Sequence, residues 1–183
     1  MTTPVTLLLP GLHPVHDATP HAFRAWAVQD QRACVVEQHD WARPLRGDWL
    51  MQLDTAVLQA DDGLVLVAEG LGCWLVAAWV QVSGHTERIS SALLINPMVL
   101  NTPELQTRLP SWQRIPVQPL PFAALVVGTA QAHANDHHHA MLLAQGWHAQ
   151  YMASASTPRD DIIQDIAQLA ALCDTLKEVT HGH

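Results

Sequence analysis

Residues 64–79, Leu-Val-Leu-Val-Ala-Glu-Gly-Leu-Gly-Cys-Trp-Leu-Val-Ala-Ala-Trp, limit what this chain can fold into more than any other stretch. An apolar run rich in β-branched residues, Leu64 to Ala68, meets a sharp turn carrying Gly70 and Gly72, and an apolar segment of small residues follows at once. Such a run reads as a buried strand, and the segment after the glycines reads as a helix packed on it. A strand, a tight turn and a helix in immediate succession form the repeating unit of an α/β fold. They place Gly70 at the apex, on the carboxyl edge of a sheet.

The flanking chain repeats the alternation. Thr3 to Leu9 reads as a strand ending at Pro10-Gly11, His21 to Gln29 as a short helix with Phe23 and Trp26 on one face, and Ala33 to Glu37 as a second strand. Asp48 is placed to cap a helix whose apolar positions Leu50, Leu53, Val57 and Leu58 recur at helical spacing. Beyond the central unit come strands at Ser91–Ile95, Ala123–Gly128 and Ala149–Ala153, and helices at Ala134–Gln145 and about Asp160–Lys177. Met98 to Pro121 carries five prolines and little periodicity, which predicts an irregular loop across the top of the sheet. Strands alternating with helices predict right-handed crossovers and a mainly parallel six-stranded sheet with helices on both faces, a three-layer sandwich.

Several classes of function are excluded early. Nine basic residues against seventeen acidic ones give a formal net charge of −8 with no basic run, so no nucleic-acid surface is expected. No stretch reaches the roughly 20 apolar residues that cross a bilayer. The 183 residues suit one domain, with 180–183 read as a disordered tail. The apolar run near the N-terminus is broken by Pro10, and the three cysteines, Cys34, Cys73 and Cys173, are odd in number and widely spaced. Together these predict a cytoplasmic protein with reduced thiols and no resident cofactor.

An ordered series of segments carries a family likeness: Leu9-Pro10-Gly11, His21 with Trp26, Val36 to Trp41 followed by Pro44, Trp49 with Leu53-Asp54, Val67-Ala68 and Leu71-Gly72-Cys73 with Trp79, and Ile115-Pro116 with Pro119 to Phe122. In these segments the chain resembles the small α/β-hydrolase-fold serine hydrolases of the YdeN and retinoblastoma-binding-protein-nine family. The resemblance implies an α/β-hydrolase-like fold. Aligned with that pattern, the nucleophilic serine falls on Gly70, the residue before it on Glu69, and the acid on Ala132. The base falls within Ser154 to Arg159, where no histidine stands. The backbone donors of an oxyanion hole fall on Leu71 and on Leu12 or His13.

Without a hydroxyl or thiol at position 70, acyl transfer lacks an attacking atom. The leading expectation is therefore a catalytically inactive protein that binds a protein partner or a small acyl-type ligand through Leu12, His13, Glu69, Leu71, Trp74 and Trp112. The alternative is a hydrolase of small esters in which Glu69 or the stretch His133 to His139 activates water. In that stretch His133, Asp136 and His137 form a weak candidate metal edge, since His133 and His137 are four residues apart, but no third ligand is fixed. Cys73 reads as a buried small hydrophobe rather than a displaced nucleophile.

Overall fold

The computed structural model describes residues 5–11, 21–129 and 134–154. Six strands form one all-parallel sheet: β1 (Thr6–Leu9), β2 (Ala33–Val35), β3 (Leu64–Glu69), β4 (Ile89–Ile95), β5 (Ala123–Thr129) and β6 (Gln150–Ser154). Their order across the sheet is β2-β1-β3-β4-β5-β6. The chain winds from β1 outward to β2, then returns to lay β3 on the other side of β1 and proceeds outward from there. This reversal puts the carboxyl ends of β1 and β3 side by side at a topological switch point, where α/β folds bind their ligands. Register pairs Leu9 with Ala68 and Glu69 with Ile95, so the central strands finish level with one another.

Helices α1 (His21–Gln29), α2 (Arg46–Gln59), α3 (Leu71–Val80), α4 (Pro103–Arg108) and α5 (Ala134–Gly146) surround the sheet. Strand residues alternate between two cores, as a period of two requires. Leu7, Leu9, Leu66, Ala68, Leu94 and Val126 face one side with α2, α3 and α5, while Leu8, Val65, Val67, Leu93 and Val127 face the other with Phe23 and Trp26 of α1. The expected α/β-hydrolase-like architecture is thus present, with helices on both faces. The terminal helix expected at about 160–177 and the tail lie outside the described residues. Among the described residues no helix is long and apolar enough to cross a membrane.

Three expectations are corrected. Asp48 lies inside the first turn of α2, whose cap is Leu45 with no side-chain hydrogen bond, and the buried face is Trp49, Leu53 and Val57 rather than Leu50 and Leu58. The Met98–Pro121 segment contains α4, capped by the Thr102 hydroxyl accepting from the Leu105 N–H at 3.3 Å, and a 3-10 turn at Pro110–Trp112. Pro103 and Pro110 sit at the first positions of these turns, where the missing N–H has no partner to lose.

Candidate active site

At the carboxyl end of β3 the chain reverses within one residue. Gly70 adopts φ 57° and ψ −112°, and Leu71 is already the first residue of α3. Side chains are strained in that conformation, and glycine is not. Both backbone groups of Gly70 are held by the exit of β4: its N–H donates to Ile95 at 3.0 Å, and its carbonyl accepts from the Met98 N–H at 3.2 Å. Two further glycines let β1 close onto this turn. A β-carbon on Gly11 would collide with the Glu69 carbonyl and stand 3.0 Å from the Leu71 nitrogen, and one on Gly72 would collide with the carbonyl of Leu9.

The turn therefore offers backbone, not side chain, to whatever lies above it. Leu71 is fully buried, so its contribution is the N–H at the positive end of α3. Glu69 is half-buried at the strand end. Leu12, His13, Ala132 and His133 lie outside the described residues.

Trp74 and Trp112 are both buried. Trp112 is wholly buried, donates Nε1–H to the Pro44 carbonyl at 2.8 Å and meets Trp49 edge-on at 5.3 Å. Trp74 is buried against Trp147, centroids 5.7 Å apart, and donates Nε1–H to the Met98 carbonyl at 2.7 Å. A tryptophan in a proline-rich stretch looks exposed in sequence. Here the stretch folds back over α2 and α3, and the indoles fill the space between.

Cys73 is fully buried beneath the turn, its thiol directed at the carbonyls of Ala68 (3.5 Å) and Ile95 (3.4 Å). Burial, and after it the Glu69 carboxylate, pushes this thiol well above its ordinary value of 9.0. It stays protonated and unreactive at neutral pH.

The histidines of α5 are drawn to different neighbours. His139 lies beside Met98 with its Nε2 buried and no partner of good geometry there. Burial lowers its pKa from 6.5, opposed by the Met98 carbonyl and by Asp136. His137 shares a hydrogen bond through Nδ1 with the Tyr151 hydroxyl at 2.8 Å. Among the described residues no group of three or more His, Cys, Asp or Glu is gathered to hold a metal ion. Sequence reading missed Met98 and Tyr151, while His139 falls within the stretch it named. Only Tyr151 left a signal, as the single tyrosine of the chain.

A family model for serine hydrolases matches residues 6–157, a span holding the whole sheet and the turn at Gly70. The chain belongs to the serine hydrolase family. Membership overturns the expectation of an inactive binding protein and points instead to a hydrolase. No curated protein matches the chain in sequence. Solved structures share its fold at low identity. A YdeN-like hydrolase from Pectobacterium atrosepticum is 17% identical with a TM-score of 0.68, covering 92% of this chain and 91% of that one. The ydeN gene product of B. subtilis is 16% identical with a TM-score of 0.66, covering 96% and 98%. Esterase B from Lactobacillus rhamnosis, solved inhibited by a tributyrin phosphonate, is 11% identical with a TM-score of 0.64, covering 98% and 77%. The position that the resemblance set against the family's serine is occupied by Gly70, at the apex of the turn.

Proposed function

We propose that this family member hydrolyses small esters by direct attack of water, activated by Glu69 or by the histidines of the His133–His139 stretch. Membership of the serine hydrolase family over residues 6–157 carries the reading. Gly70 offers no hydroxyl, so the route avoids a covalent acyl-enzyme and needs a base close to the turn. His139 contacts Met98, and Met98 is bonded to Gly70, which brings the histidine-rich end of α5 to the same edge as the turn. The ester carbonyl would take the Leu71 N–H, with Leu12 or His13 supplying a second donor. That donor pair favours the tetrahedral oxyanion over the planar ester because negative charge develops where the N–H groups point. A cytoplasmic location accords with the free thiols of Cys34 and Cys73.

Hydrolysis of short-chain nitrophenyl esters tests the reading, run beside a fluorophosphonate probe. Turnover above the uncatalysed rate, without covalent labelling by the probe, is expected. Absence of turnover with every acyl length tried would overturn it.

A further inference from the structure

Three elements converge over Gly128, the penultimate residue of β5. His137 enters from the first turn of α5 and Tyr151 from β6. A β-carbon at position 128 would stand 2.5 Å from His137 Nδ1 and 2.8 Å from the Tyr151 hydroxyl oxygen. The glycine is therefore what allows the two polar groups to rest on the sheet and meet each other at 2.8 Å. Register pairs Tyr151 with Val126 and Ala153 with Gly128, so the tyrosine hydroxyl reaches forward along its strand toward the carboxyl edge. That is the edge holding the turn at Gly70.

We propose that His137 is the catalytic base that activates water and that Tyr151 is its positioning residue, an assignment that rests on the hydrolase reading above. His137 Nδ1–H donates to the Tyr151 oxygen, which leaves the lone pair on Nε2 to accept a proton. Nε2 takes a proton from water as the water oxygen bonds to the acyl carbon. The tetrahedral intermediate then expels the alcohol oxygen, which receives the proton from Nε2, and acid and alcohol depart with the imidazole neutral again. Tyr151 does for His137 what a carboxylate does in a triad, fixing ring orientation and tautomer, but without a charge. Burial of the phenol raises its pKa and keeps it neutral.

The spacing suits this step. Two interstrand spacings separate β3 from β5, about 10 Å. A donor–oxyanion contact, the carbonyl bond, the approaching water and its hydrogen bond to a base span about 10 Å in all. The alternatives on α5 fit less well, since His139 turns its Nε2 into the protein. Among the described residues, the ionisable groups nearest His137 in its own helix are Asp136, His138 and His139, while β5 and β6 beneath carry none but Tyr151.

Ester hydrolysis by the full chain across pH, with His137→Gln and Tyr151→Phe, tests the assignment together with ¹⁵N NMR of the imidazole. The expected results are a loss in kcat of about 100-fold or more for His137→Gln, partly restored by added imidazole, and for Tyr151→Phe a fall of about tenfold in kcat with unchanged KM and a displaced acidic limb. Unfolding curves confirm that both variants fold. A His137→Gln variant with unaltered kcat and pH profile, while the native chain turns over, would overturn the base assignment alone. A native chain without turnover would overturn the hydrolase reading. NMR decides the tautomer independently of activity: a proton on Nε2 rather than Nδ1 of neutral His137 would refute the orientation.

Discussion

Met98 donates its backbone N–H to the carbonyl of Gly70 at 3.2 Å. Because the exit of β4 grips the turn through backbone alone, the shape of the turn does not depend on a side chain at position 70. The dihedrals still favour glycine, which makes the site testable by substitution.

Gly70→Ser has room: the nearest atom to a new β-carbon is the Gly11 Cα at 3.8 Å. Its penalty is conformational, at φ 57°, and amounts to about 1–3 kcal/mol. At this chain length each kcal/mol lowers Tm by about 2–4 °C. Thermal unfolding followed by circular dichroism checks it, and an unchanged or higher Tm would contradict the strain argument.

Gly72→Ala meets a different obstacle. Its β-carbon would run into the backbone carbonyl of Leu9 inside the core, where neither α3 nor β1 can yield freely. The loss is expected to exceed that of Gly70→Ser, at about 3 kcal/mol or more. Gly47→Ala on α2, with nothing within 4 Å of the new carbon, serves as the control and should be neutral or stabilise by up to about 1 kcal/mol. Equal effects at positions 47 and 72 in urea denaturation would rule out the packing account.

One carboxylate oxygen of Asp54 accepts from the Trp79 indole N–H and from the Ser83 hydroxyl, each at 2.9 Å. Asp54→Leu strands a buried indole N–H and should destabilise by about 1–3 kcal/mol, whereas Asp54→Asn, which keeps an acceptor, should lose less. Adding Trp79→Phe to Asp54→Leu removes the stranded donor. A double-mutant cycle with strictly additive losses would show that the hydrogen bond does not couple the two residues.

His139 sets a pH dependence of stability. Burial holds its folded-state pKa below 6.5, so between the folded value and 6.5 the unfolded chain binds more protons than the folded one. Its contribution is complete above 6.5 and is lost as pH falls through the folded value. The Tm difference between the native chain and His139→Gln should change in that direction between about pH 7.5 and about pH 5. A difference that stays flat would mean that His139 titrates alike in both states.

Much of the fold was legible because its signals are local. The β-branched runs at Leu64–Ala68 and Ala123–Gly128 announce buried parallel strands, and the strands were placed to within about two residues of their observed ends except at the start of β1, read at Thr3 and observed at Thr6. The failures have one physical origin. Asp48 met the composition rule for a cap, yet the helix begins earlier because Arg46 and Gly47 can join it once Trp49 is buried. Trp112 lies in a stretch with no periodicity, and its burial depends on Pro44 and Trp49, more than sixty residues away. The leading functional expectation failed for a related reason, since the three positions set against the family's nucleophile, acid and base weighed more than the family membership of the surrounding framework.

By itself, the sequence determined the alternation of strands and helices, the glycine turn after β3 and the absence of a hydroxyl at position 70. These follow from side-chain volume, β-branching and backbone freedom, which each residue carries wherever it stands. The tertiary structure alone decided that Met98 would hold Gly70, that Trp74 and Trp112 would be buried, and that His137 and Tyr151 would meet over Gly128. Those contacts arise only when parallel crossovers bring distant segments to one sheet edge, and no local pattern records which strands become neighbours.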